Sequence, residues 1–315
     1  MSNRLRYILI ATLAALVALF VVDLSHADVS TMLRPADVRT VAVSPDGKHL
    51  AMVRSKDLGD QLVIFRRPDM TVATGANSSV GERFTRITWA NNNLVLIEPA
   101  FDRGAAVTPE PTGALLALNV DQSRKRLMPG NADAAQLDTA IVSTLPNELD
   151  QILVAAHSTC DPSACGEQAN FRRLVRINVA TGEKQPAAPA LPMPAYYVSD
   201  PSGKHLMAAG RNDDAVIVYR LSEGAWAEVT RFDPASDLGT VPLAIDRGGD
   251  VFALANKVGT AGLYEWDLAS GETTELYRGA DSDIDTVIKS YGGRKVLAVR
   301  SDPGYASWHY LEQGH

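Results

Sequence analysis

Asp281-Ser-Asp-Ile-Asp285 sets three carboxylates at alternate positions, the spacing with which a loop could begin to wrap a calcium ion. A calcium-binding loop of that type also needs Gly at its sixth position and Glu at its twelfth. This chain has Thr286 and Gly292 there, so the stretch reads as a solvated strand start. Cys160 and Cys165, the only two cysteines, flank Asp-Pro-Ser-Ala and read as a local disulfide across a turn in an oxidising compartment. Two thiols without a His-x-x-x-His pair do not make a zinc site. Gly47-Lys48 and Gly203-Lys204 have neither the upstream Gly nor the following Ser or Thr of a phosphate loop. No metal and no cofactor is expected from these residues.

His49 and His205 are a different matter, because each follows Gly-Lys in nearly the same context. VSPDGKHLAMV starts at Val43 and VSDPSGKHLMAAG starts at Val198. Imidazoles at equivalent places in distant repeats stand far apart, so a structural role is expected of both. The same turn-then-strand pattern continues through the chain. Asn91-Asn92-Asn93 precedes Leu94–Ile97, Pro146-Asn147-Glu148 precedes Ile152–Val154, Asp246–Gly249 precedes Val251–Leu254, and Gly292-Gly293 precedes Val296–Val299. Six such turns recur at a period of roughly 50 residues, the spacing of propeller blades.

Each copy adds a second strand with its own turn. Leu62–Phe65, Leu115–Leu118, Leu174–Ile177, Val216–Tyr219 and Leu263–Trp266 are followed by Asp- or Gly-bearing turns, and Trp308–Leu311 opens the sixth. Several strands are apolar on successive residues, as expected when both faces of a sheet are covered. The predicted fold is all-β, a β-propeller with about six four-stranded blades. The sixth is expected to be incomplete, because the chain reaches His315 before a fourth strand. On that reading residues 28–315 form one propeller domain cut short at its C-terminus, with an open edge prone to association. Trp89, Trp226, Trp266 and Trp308 fall in separate blades, and core packing is expected for each.

Of the 315 residues 46% are hydrophobic, and the net charge of −7 argues against a general nucleic-acid binder. Arg4 and Arg6 precede the apolar run Ile8–Val22, and Ser25-His26-Ala27 supplies small residues for cleavage. Residues 1–27 therefore read as a signal peptide, giving a periplasmic or secreted chain from Asp28 with no stable membrane span after cleavage. The alternative is an uncleaved N-terminus anchored in the inner membrane.

With the repeats assembled, the chain resembles the N-terminal propeller of the prolyl-oligopeptidase-like serine peptidases, the dipeptidyl and acylaminoacyl peptidase relatives. The residues that carry the resemblance are Ser44–Ala51, Ile87-Thr88-Trp89, Leu145–Val154, Leu174–Asn178 with Thr181-Gly182-Glu183, and Leu263–Asp267. The resemblance implies a catalytic α/β-hydrolase domain with a nucleophilic Ser on a Gly-x-Ser-x-Gly elbow. Ser79, Ser222 and Ser290 have Gly two residues later, but Asn77, Arg220 and Ile288 stand two residues earlier. No catalytic residue carries over, and of the six histidines only His157 and His309 are left without a repeat, leader or terminal position. The implied function is that of a non-catalytic propeller, a substrate-access funnel and docking surface for a hydrolase domain outside this chain. The alternative is a stand-alone periplasmic propeller, similar to TolB, that binds another protein. Peptides are candidate ligands on either reading.

Overall fold

The computed structural model describes residues 37–104, 108–123, 125–128, 140–148, 150–157, 171–235, 239–290 and 295–311. These residues form six antiparallel sheets and no helix, and Val38–His315 is one compact unit. Blade 1 is β1 (Val38–Val43), β2 (His49–Lys56), β3 (Gly59–Arg66) and β4 (Val72–Asn77), hydrogen-bonded in chain order. Blade 2 is β5 (Glu82–Trp89), β6 (Leu94–Phe101), β8 (Leu115–Asn119) and β9 (Lys125–Met128), with the two-residue β7 (Glu110–Pro111) paired to the far end of β6. Blade 3 contains β10 (Ala140–Ser143), β11 (Gln151–His157), β12 (Arg172–Asn178) and β13 (Lys184–Pro186). Blade 4 contains β14 (Ala195–Ser199), β15 (Leu206–Arg211), β16 (Val216–Ser222) and β17 (Ala225–Phe232). Blade 5 contains β18 (Thr240–Ile245), β19 (Val251–Val258), β20 (Thr260–Trp266) and β21 (Thr273–Arg278). Blade 6 has three strands among the described residues: β22 (Ile284–Lys289), β23 (Val296–Ser301) and β24 (Ser307–Tyr310). The protein is an all-β propeller.

The continuous apolar runs have a direct cause in how the blades stack. On β6, Val95 and Ile97 pack into the core shared with blade 1, while Leu94 and Leu96 pack into the core shared with blade 3. On β8, Leu116 and Leu118 face blade 1, and Leu115 and Ala117 face blade 3. β11 divides likewise, Ile152 and Val154 toward blade 2, Leu153 and Ala155 toward blade 4. Successive side chains point to opposite faces of a strand, so a sheet covered on both faces has no place for alternation. Burial of each large aliphatic side chain here is worth about 2 kcal/mol.

Five such cores join consecutive blades from 1 to 6, and among the described residues none joins blade 6 to blade 1. Blade 1 is accordingly one-sided. Ala51, Val53, Leu62 and Ile64 are buried against blade 2. The opposite face carries the cross-strand rows Val43–Leu50–Phe65–Val72 and Val41–Met52–Val63, whose members Val41, Val43 and Val72 are exposed.

Polar contacts pin blades to each other. Asp60, its side chain fully buried, accepts a 2.8 Å hydrogen bond from the Phe84 N–H and pairs with Arg83 at 3.2 Å and Arg39 at 3.3 Å. Arg83 also meets Asp102 at 2.6 Å, so blades 1 and 2 share an ionic staple. Trp89 donates its Nε1–H to the Ala42 carbonyl of blade 1 at 3.0 Å, and Tyr196 donates its hydroxyl to the Pro242 carbonyl of blade 5 at 3.0 Å.

Candidate functional site: an axial pocket

The turn that opens β2 is built by its own side chains. Ser44 Oγ accepts the His49 N–H at 2.9 Å and donates to Asp46 Oδ1 at 2.7 Å, while Gly47 takes φ +71°. This hydroxyl is the main reason the Asp46 carboxyl is held below its ordinary value, even though burial pushes the other way. In the last blade Ser290 Oγ accepts the Lys295 N–H at 2.9 Å in the same manner. Turns of this kind cap the ends of the first strands, and the residues just before them point to one place.

Arg86 and Thr88 of β5, Ser143 and Thr144 at the end of β10, Ser199 at the end of β14 and Ile245 at the end of β18 line one cavity. Lys289 and Ser290, at the end of β22, complete it. Five blades contribute and each does so from its first strand, which places the cavity on the propeller axis. Its volume is about 220 Å³. Arg86 and Lys289 are its charged members, and no carboxylate lines it. Lys289 is open to the cavity but flanked by protein, and this desolvation pushes its ammonium below the ordinary lysine value. Arg86 is paired with Glu98, its Oε1 at 3.7 Å. Burial raises the Glu98 carboxyl more than Arg86 lowers it.

The sequence-derived candidates lie elsewhere. His49 stacks on Trp89 of blade 2, ring centroids 6.1 Å apart. His205 turns its Nδ1 toward Asp200 Oδ2 at 3.6 Å. His309 stacks on Tyr277 of blade 5 at 4.1 Å. The acidic triplet is dispersed: Asp283 accepts the Ala261 N–H at 2.7 Å, and Asp285 is clamped by Arg300 at 2.8 Å. Among the described residues no cluster of three metal-ligating side chains occurs. Cys160 and Cys165 lie outside the described residues. Trp89 and Trp266 are core residues as expected, but Trp308 is exposed on the outward side of blade 6 beneath the Arg300 guanidinium, 5.7 Å from its ring. Among the described residues no further blade packs on that side, and none supplies a core for Trp308 to enter.

Sequence reasoning did not find Arg86 or Lys289, because they are 203 positions apart (289 minus 86) and meet only around the axis. One signal was present. Val43, Ser199, Ile245 and Lys289 occupy the same repeat position, immediately before the turn, and only blade 6 puts a cation there.

The fold and this pocket define a β-propeller with an axial recess. The sequence profile of the family described as Lipoprotein LpqB beta-propeller domain matches residues 25–139. No curated protein matches the sequence. Among solved structures the chain is similar to the acylaminoacyl peptidase of Pyrococcus horikoshii, at 14% identity and a TM-score of 0.53, over 87% of this chain and 45% of that one. It is similar to the tricorn protease, at 12% identity and a TM-score of 0.54, over 89% of this chain and 30% of that one. The β-propeller domain of the Trilobed protease from Pyrococcus furiosus, described as having an open velcro topology, matches at 14% identity and a TM-score of 0.50, over 88% of this chain and 84% of that one. At these identities the likeness is one of fold. The chain spans less than half the length of the acylaminoacyl peptidase and the tricorn protease.

Proposed function

We propose that this chain is the non-catalytic propeller portion of a prolyl-oligopeptidase-like serine peptidase. It receives extended polypeptide at its axis and docks a hydrolase domain that lies outside these residues. The observation that carries the reading is the axial pocket, which five first strands build from hydroxyls, two cations and a few apolar side chains. Such a lining suits the mixed polar and apolar character of a peptide. The family resemblance in the repeats and the peptidase propellers among the fold neighbours support it. On this reading the chain is exported, its mature N-terminus lies at Asp28, and Cys160 is bonded to Cys165.

Two measurements test the reading. The purified chain, incubated with chromogenic dipeptide and acyl substrates and a fluorophosphonate serine probe, is expected to show neither turnover nor labelling. Stoichiometric labelling of one serine, with turnover abolished by its change to Ala, overturns the non-catalytic assignment. The coding DNA beyond codon 315 is expected to hold a Gly-x-Ser-x-Gly hydrolase frame, and its absence there and in adjacent genes overturns the peptidase assignment. Mass spectrometry of exported material, with thiol labelling under denaturing non-reducing conditions, checks the start at Asp28 and the disulfide.

A further inference from the structure

The axial pocket is lined by two cations, Arg86 and Lys289, and by no carboxylate. Several arginines on the described surface are paired with a carboxylate: Arg103 with Glu110 at 2.7 Å, Arg231 with Glu228 at 2.8 Å, Arg300 with Asp285 at 2.8 Å. Among the described residues Lys289 has no carboxylate within ion-pair distance, although the pocket costs it solvation. Its companion Arg86 is paired with the half-buried Glu98, whose Oε1 accepts no hydrogen bond among the described residues.

The hydroxyls are also disposed to donate. Ser143 and Ser290 use their oxygens to accept the backbone N–H groups of Leu145 and Lys295, at 3.2 and 2.9 Å. A hydroxyl that accepts in this way still has its own hydrogen to give. The pocket therefore offers two cations and several O–H donors. Ile245 and its apolar neighbours Ile141 and Val142 stand beside them. An anion placed among these groups makes charge-assisted hydrogen bonds to both cations and to the hydroxyls.

We propose that the axial pocket binds the free C-terminal carboxylate of a peptide, held by Lys289 and Arg86, with the terminal apolar side chain against the half-buried Ile141 and Val142. This rests on the reading of the chain as a polypeptide-receiving propeller and specifies what it receives. A volume of about 220 Å³ holds one terminal residue and excludes a folded domain. A phosphate would use the cations and leave the apolar wall idle, which favours the carboxylate of a peptide.

Fluorescence anisotropy of the full chain with amino-terminally labelled Ala-Ala-Ala-Ala-Leu, as free acid and as C-terminal amide, is the test. The acid is expected to bind at least tenfold more tightly than the amide. Lys289→Gln is expected to bring the acid to the level of the amide, Lys289→Arg to retain most binding, and Arg231→Gln, on the outer strand of blade 4, to change nothing. Equal binding of acid and amide overturns the inference while leaving the receiving function standing, whereas no binding of either overturns both. Displacement by inorganic phosphate at the potency of the free-acid peptide, or equal binding of an amide carrying an internal Glu, also overturns the C-terminal assignment. The acid–amide comparison needs no variant, so it holds even if Lys289→Gln fails to fold.

Discussion

Ser44–His49 and Asp200–His205 are two solutions to one geometric requirement. In blade 1 the order is Ser-Pro-Asp-Gly-Lys-His, and in blade 4 it is Asp-Pro-Ser-Gly-Lys-His. Both turns close with the first residue's N–H on the histidine carbonyl, at 2.9 Å and 3.0 Å. In both, the first side chain accepts the histidine N–H, Ser44 Oγ at 2.9 Å and Asp200 Oδ1 at 2.8 Å. A serine hydroxyl then donates to the carboxylate across the turn, Ser44 to Asp46 at 2.7 Å and Ser202 to Asp200 at 2.5 Å. The exchange works because a hydroxyl and a carboxylate can each accept from an amide, and the O–H···O bond between them can run either way. The histidines then part company. His49 lies on the Trp89 ring, whereas His205 lies against Gly249, where an added Cβ would stand 3.2 Å from its ring. The turn belongs to the blade, and the neighbouring blade decides what the turn carries.

The largest expected difference between the copies lies at their glycines. Gly47 and Gly203 have φ of +71° and +73°, but a Cβ on Gly203 would stand 2.9 Å from buried Leu145 Cδ2, whereas the nearest atom to one on Gly47 is 3.9 Å away. Gly47→Ala is expected to cost about 1–2 kcal/mol from the left-handed backbone alone. Gly203→Ala should cost about 1–2 kcal/mol more from crowding. Urea unfolding of both variants measures this, and equal costs would show that the two turns are packed alike.

Next is Asp200→Ala, which leaves the His205 N–H without its acceptor inside a buried turn and should cost about 2 kcal/mol. Ser44→Ala removes one neutral acceptor and should cost about 1 kcal/mol. The double change Asp200→Ser with Ser202→Asp rewrites the blade 4 turn in the order of blade 1. It is expected to recover most of the loss of Asp200→Ala, to within about 0.5 kcal/mol of the parent. Failure to recover would show that the burial of the carboxylate, and not the pattern of bonds, holds blade 4.

The smallest effect is in pH. The Asp46 carboxyl is held below its ordinary value of 3.8, chiefly by the Ser44 hydroxyl. Its contribution to stability is therefore complete above that ordinary value and disappears as pH falls through the lower folded-state value. Thermal unfolding of the parent and Asp46→Asn should show a gap at neutral pH that narrows only below about pH 4. A gap that does not change with acid would remove the charge from the account of this turn.

Much of the architecture was legible because it repeats. The six turns, Ser44–Gly47 through Gly292-Gly293, mark six sheets, and the run Leu94–Ile97 announces a strand covered on both faces. The one-sidedness of blade 1 was not legible. Val41, Val43 and Val72 are as apolar as their counterparts in covered blades, and they are exposed because no core among the described residues joins blade 6 to blade 1. Trp308 misled for the same reason. The short β7 also escaped notice, since two residues, Glu110 and Pro111, carry no period.

The sequence by itself determined what lies within one blade: where turns fall, which residues can take positive φ, and which strands are apolar on both faces. These depend on neighbours a few positions away and on a period that a single chain displays. The axial pocket was decided only by the tertiary structure. Arg86, Ser143, Ser199, Ile245 and Lys289 come from five blades, and no local pattern relates one to the next. Ser143, Ser199, Ile245 and Lys289 share the final position of a first strand and Arg86 stands within β5, and it is the curvature of the stacked blades that turns these positions toward one point. The lowered pKa of Lys289 follows from the same cause, because desolvation is a property of the surroundings and not of the lysine.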